Sequence, residues 1–348
     1  MTWRALLSPI LGLASFAAIA GDAPDSKTGL QQDVVFDQYT DAATSSQLIH
    51  RLLSPLNAQR IRQQATATGI TIREQPLDLS KERFTLYVPT HAPPEGYALL
   101  VFVPPWDEAQ VPLTWIPVLE RRGILLVTAA RSGNDEDVLD RREPLALLAA
   151  GNAMSRYHID PRRVFIGGFS GGSRVALRIA LGYADLFHGV LLDAGSDILG
   201  VQLPLPPREL LDQFQTSTRV VYLTGATDSS RQVADRESRQ SLKHWCITDI
   251  DTRTIPWTGH ELADPSALDR ALESLDRHAP DDPAALADCR ARIDKELGTQ
   301  LDAAEASLAQ GDRDHARSQL QNIDAHFGGL AAPKSVELTS RLDATTSK

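Results

Sequence analysis

The segment Gly168-Phe169-Ser170-Gly171-Gly172 constrains this chain more than any other, because of what flanks it. Before it runs Arg163-Val164-Phe165-Ile166-Gly167, short, apolar and partly β-branched, which reads as a buried strand. After it runs Ser173-Arg174-Val175-Ala176-Leu177-Arg178-Ile179-Ala180, with helical spacing and helix-favouring residues. A chain that passes from strand to helix across one serine must turn sharply, and the strained turn lifts the hydroxyl clear of the sheet. Residues two before and two after that serine come close together, so both should lack a Cβ. Gly168 and Gly172 meet the demand. Ser170 is therefore the candidate nucleophile, and its plain rival is a turn serine without chemistry.

The surrounding pattern alternates. Apolar strands are expected at Leu99–Val103, Ile124–Thr128, Val164–Ile166, Gly189–Leu192, Val220–Leu223 and Thr252–Ile255. Helices are expected between them at Leu113–Arg122, Glu143–Tyr157, Ser173–Leu181, Pro207–Phe214 and Asp235–Trp245. Strands without polar alternation, separated by helices, imply a parallel sheet covered on both faces. Upstream, Ile70 to Leu79 and Phe84 to Val88 read as an antiparallel strand pair. One amphipathic helix carrying Leu48, Leu52, Leu53 and Leu56 precedes them. The expected class is α/β, a mostly parallel central sheet flanked by helices, with a small C-terminal helical extension.

Bulk properties bound the rest. The chain has 348 residues, enough for one core of roughly 250 residues and an appendage. Its formal net charge is −10 and it has no basic run, so nucleic acid is not an expected partner. Arg4, the apolar stretch Ala5 to Ala20 and the small-x-small end Ala18-Ile19-Ala20 read as an export signal cut after Ala20. That stretch, interrupted by Pro9 and Gly12, falls short of the ~20 residues a spanning helix needs. No stable membrane span is expected, and the site of action is periplasmic or secreted. Residues 21–46 read as a flexible segment, 47–280 as the α/β domain and 281–348 as a helical hairpin. The hairpin has apolar stripes at Leu297, Leu301, Ala304, Leu308 and at Ala316, Leu320, Ile323, Phe327. It either docks on the core or offers a surface to a protein partner. In an oxidising compartment the two cysteines, Cys246 and Cys289, are expected to pair, the alternative being two buried thiols.

A serine hydroxyl needs a base, and the base needs an orienting acid. Strand Val220–Leu223 runs into Thr224-Gly225-Ala226-Thr227-Asp228, and strand Thr252–Ile255 runs into Pro256-Trp257-Thr258-Gly259-His260. Asp228 and His260 thus follow strand ends, at the sheet edge where Ser170 also arises. His188 and His244 compete with His260 but sit near or within helices. Asp197 and Asp235 compete with Asp228, and a loop aspartate often only caps a helix. For the oxyanion, one N–H is expected from Gly171. Since Pro104 and Pro105 have no N–H, the second falls to Trp106. Trp115 and Trp257 are candidate pocket walls with core packing as the alternative, and the proline-rich Ile198–Pro207 is a candidate lid. There is no cysteine–histidine cluster and no glycine-rich phosphate loop, so neither metal nor cofactor is expected.

Taken as a whole, Tyr157-His158-Ile159-Asp160-Pro161-Arg162-Arg163-Val164-Phe165-Ile166-Gly167-Gly168-Phe169-Ser170-Gly171-Gly172 resembles the elbow region of the polyhydroxybutyrate depolymerase and feruloyl esterase branch of the α/β hydrolases. The resemblance is sharp over Gly151–Ala180 and fair over Leu99–His260. It implies ester cleavage through an acyl-enzyme, with Ser170, Asp228 and His260 in the matching positions. Two departures are plain: Pro104-Pro105-Trp106 replaces the usual His-Gly oxyanion loop, and no separate polymer-binding domain is visible. The expected substrate is a small-molecule or oligomeric ester. The rival readings are a peptidase of the prolyl-oligopeptidase kind and a non-catalytic periplasmic interaction module.

Overall fold

The computed structural model describes residues 27–277 and 282–344, so the expected export signal lies outside the described residues. Eight strands form one sheet: β1 (Gly29–Val34), β2 (Phe84–Val88), β3 (Tyr97–Val103), β4 (Ile124–Ala129), β5 (Ile159–Phe169), β6 (Gly189–Asp193), β7 (Arg219–Gly225) and β8 (Ile250–Ile255). Their spatial order is β1-β2-β4-β3-β5-β6-β7-β8. β1 pairs antiparallel with β2 and β2 antiparallel with β4, while all later pairings are parallel. The helices are α1 (Ser45–Leu52), α2 (Pro55–Thr68), α3 (Ile116–Arg122), α4 (Glu143–Arg156), α5 (Gly171–Gly182), α6 (Arg208–Ser217), α7 (Ser229–His244), α8 (Pro265–Leu275), α9 (Pro283–Ala309), α10 (Arg313–Phe327) and α11 (Lys334–Ala344).

The apolar strands are buried on both faces because successive side chains alternate between two cores. In β3, Leu99, Val101 and Val103 enter one core with α4 and α5. Ala98, Leu100 and Phe102 enter the other, closed by Val118 and Leu119 of α3 and by Leu268, Ala271 and Leu272 of α8.

Three expectations at the N-terminal side need correction. The partner of β2 is the polar segment Gly29–Val34, not Ile70–Leu79, and residues 29–46 are ordered as a strand and helical turns rather than a flexible stretch. Ile70 is 66% exposed, and Pro76 interrupts that segment. β1 is readable only in context, since Gln31 is buried by a bond from its Nε2 to the Tyr157 hydroxyl. The single helix expected around Leu48–Leu56 is two, α1 and α2, because Pro55 cannot continue a helix but fits the first turn of the next.

The C-terminal helices dock on the sheet domain. Asp324 of α10 accepts from the Ser54 hydroxyl (2.5 Å) and the Leu56 N–H (2.9 Å) at the start of α2. Trp245 packs edge-on against Phe327 at 5.7 Å, and Arg290 of α9 donates to the Gln215 side chain of α6. Cys246 and Cys289 form a disulfide across 43 positions. The double substitution Cys246→Ser/Cys289→Ser is expected to cost about 4 kcal/mol by the loop-entropy relation for that span. Urea unfolding of the oxidised protein and the variant measures it. A difference under about 1 kcal/mol would place the stabilisation of this junction in packing alone.

Candidate active site

Ser170 stands at the turn between β5 and α5, with φ 53° and ψ −118°. An L residue there is strained by roughly 1–3 kcal/mol, so the surrounding backbone must hold it. It does: the Ser170 N–H donates to the Asp193 carbonyl at 2.8 Å. A Cβ built on Gly168 would collide with the Gly172 backbone, and one on Gly172 with the Val103 carbonyl. The close approach of residues 168 and 172 expected from the sequence is present, and β3 crowds Gly172 as well.

Asp228 and His260 arrive from the neighbouring parallel strands. β7 ends at Gly225 and delivers Asp228 as the N-cap of α7, while β8 ends at Ile255 and a turn brings His260 back toward the elbow. His260 Nε2 lies 2.9 Å from Ser170 Oγ, and His260 Nδ1 lies 2.7 Å from Asp228 Oδ2. With its Nδ1–H donated to the carboxylate, the ring leaves Nε2 free to accept the serine proton. Burial pushes the Asp228 carboxyl up. The bonds from His260, the Arg231 N–H and the Ser230 hydroxyl outweigh it and hold the group below the ordinary aspartate value. Asp228 therefore caps a helix and holds a histidine with different oxygens.

The competing residues are engaged with other partners. Asp197 meets Arg174 (2.6 Å), and Asp235 accepts from Ser196 and Thr224. His244 stacks edge-on against Trp245, and the His188 carbonyl accepts the Arg219 N–H at the opposite edge of the sheet. Trp115 is fully buried, its Nε1 donating to the Ala263 carbonyl, so it is core rather than pocket wall. Trp257 is 95% exposed, so it is not core packing either. The Ile198–Pro207 loop is a packed wall rather than a lid: Leu199, Leu203 and Leu205 are buried, and the Gly329 N–H donates to the Leu205 carbonyl.

The backbone N–H groups of Gly171 and Trp106 make no hydrogen bond among the described residues. The loop carrying Trp106 is clamped to the loop of residues 132–134 by Arg142, a residue the sequence did not single out. Its buried guanidinium donates to the carbonyls of Ser132 (2.9 Å) and Pro104 (3.0 Å), and the Asn134 N–H donates to the Pro105 carbonyl. The Trp106 ring sits 6.3 Å from Phe169, whose ring lies 5.1 Å from the His260 imidazole.

Asp193 is a second residue missed in the sequence, where it reads only as the end of an apolar strand. Its Oδ2 accepts the Ala263 N–H at 2.8 Å, tying the His260 loop to the strand that also holds Ser170. Burial pushes its carboxyl up to about 8. Between its ordinary 3.8 and about 8 the folded protein thus keeps a proton that the unfolded chain has released. The stability that Asp193 contributes falls as pH rises through that window, at up to about 1.4 kcal/mol per unit. Asp193→Asn is expected to lose less stability than the native protein between pH 5.5 and pH 8.5, as read by urea unfolding. Identical losses would refute the assignment.

Among the described residues no group of three or more histidine, cysteine or acidic side chains could hold a metal, and no helix is long and apolar enough to cross a membrane. No protein-family model matches the chain, and no curated protein matches it significantly. Solved structures align with part of the chain. Est1E from Butyrivibrio proteoclasticus aligns at 14% identity and TM-score 0.42 over 56% of this chain and 95% of its own. A dienelactone hydrolase from Anabaena variabilis aligns at 15% and 0.41 over 57% and 93%. A puromycin-hydrolysing peptidase from Mycobacterium tuberculosis aligns at 18% and 0.41 over 55% of this chain, which spans only 36% of that larger protein. The sheet that starts antiparallel and turns parallel, with a strained serine turn after β5 and loops converging at one edge, makes this an α/β-hydrolase fold.

Proposed function

We propose that this protein is an exported serine hydrolase that cleaves carboxylic esters through an acyl-enzyme. One observation carries the reading: Asp228, His260 and Ser170 form an unbroken hydrogen-bonded chain of 2.7 and 2.9 Å that ends on a strained, partly exposed hydroxyl. His260 Nε2 takes the Ser170 proton as Oγ attacks the ester carbonyl. The tetrahedral oxyanion is held by the N–H groups of Gly171 and Trp106, which have no other hydrogen-bond partner among the described residues. His260 then returns the proton to the leaving alcohol, and a water molecule repeats the sequence on the acyl-enzyme.

The elbow-region likeness to polyhydroxybutyrate depolymerases and feruloyl esterases supports ester over amide cleavage, and the disulfide is compatible with an oxidising compartment. A fluorophosphonate probe tests the reading. Labelling that disappears in Ser170→Ala supports it, whereas a folded native protein that stays unlabelled would make the fold a non-catalytic scaffold. Turnover of p-nitrophenyl esters against aminoacyl anilides separates esterase from peptidase.

A further inference from the structure

The cleft beside Ser170 encloses about 520 Å³, within the usual range for a small-molecule site. Its charge is unusual for a chain with net charge −10: four arginines, Arg142, Arg174, Arg178 and Arg231, line it against one acidic residue, Asp197. The four are not equivalent. Arg142 spends its donors on backbone carbonyls and Asn134. Arg178 lies against the buried carboxyl of Glu143 and donates to the Leu52 carbonyl. Arg174 uses only Nε, on Asp197, which leaves both of its terminal nitrogens without a hydrogen bond among the described residues. The Arg231 guanidinium makes neither hydrogen bond nor ion pair among them.

Position sharpens the contrast. Arg231 is the third residue of α7, and Arg174 the fourth of α5. A cation there opposes the helix dipole, at a cost of typically a few tenths of a kcal/mol. The unpaired guanidinium of Arg231 and the two free terminal nitrogens of Arg174 thus border the same cleft. A planar fork with free N–H donors matches a carboxylate better than any neutral group.

Resting on the hydrolase reading of this site, we propose that the cleft selects esters bearing a second, anionic carboxylate on the acyl or alcohol part, held by Arg231 and Arg174. A neutral ester leaves these donors in water, while an anionic one exchanges water for charge-assisted bonds. Specificity therefore lies in charge before chain length.

Two matched pairs test it: mono-p-nitrophenyl glutarate against p-nitrophenyl valerate for the acyl side, and 4-(valeryloxy)benzoate against its methyl ester for the alcohol side. In at least one pair kcat/KM is expected to favour the anion by about tenfold or more at low salt, with the preference shrinking in 0.5 M NaCl. In Arg231→Gln the anion-to-neutral ratio should fall about tenfold, and Arg231→Lys should recover part of it. Glutarate binding to the Ser170→Ala protein, followed by calorimetry, supplies a readout independent of turnover. Ratios near one in both pairs, or a preference untouched by Arg231→Gln, would overturn the proposal while leaving the esterase reading intact. If no ester is cleaved yet glutarate binds and Arg231→Gln abolishes binding, the anion site stands and the hydrolase reading fails. If glutarate does not bind and no ester is cleaved, both fall.

Discussion

Ser170→Ala is expected to lower kcat/KM on p-nitrophenyl esters by roughly 10⁵- to 10⁶-fold, because the other members of such a unit achieve little without the nucleophile. The substitution deletes only Oγ, whose side-chain neighbour is His260 Nε2 at 2.9 Å. The elbow should survive, since the N–H bond from residue 170 to the Asp193 carbonyl and the two glycines that permit the turn are backbone features. Alanine at φ 53° bears the same kind of strain as serine. Residual activity above about a tenth of the native value would mean that another group attacks the carbonyl.

Asp228→Asn carries the second large effect, a fall in kcat of about 10⁴-fold. Asparagine can still accept the Arg231 N–H and cap α7, so the helix start is preserved. It can also turn its amide toward His260 Nδ1 and favour the tautomer with the proton on Nε2, which cannot accept from Ser170. The two roles of Asp228 thus separate: thermal stability should change by no more than about 1 kcal/mol while turnover collapses. Equal losses in both would make the residue a cap and no more.

Much of this was legible in sequence for a definite physical reason. Strands β3, β4, β6 and β7 and residues 164–166 of β5 are buried on both faces and therefore read as apolar runs. The elbow is legible because steric closure leaves only glycine at positions 168 and 172. Asp228 and His260 are nameable because parallel strands deliver their following loops to a common edge. β1 was not legible. Its polar residues look like loop until Gln31 meets Tyr157, contributed by the end of α4 some 126 positions away. Ile70–Leu79 misled for the opposite reason, carrying an apolar residue that the fold leaves in water.

Local spacing and the period of the apolar residues were enough to determine the parallel sheet, the sharp serine turn and the chain order Ser170, Asp228, His260. Tertiary structure alone decided that Arg142 would clamp the loop of Trp106, that Asp193 would be buried and hold its proton, and that Arg174 and Arg231 would share a cleft. No local signal announces these, because a charge's meaning depends on which partners reach it. Arg174 and Arg231 lie on separate helices, and folding places them beside one cavity with donors left over.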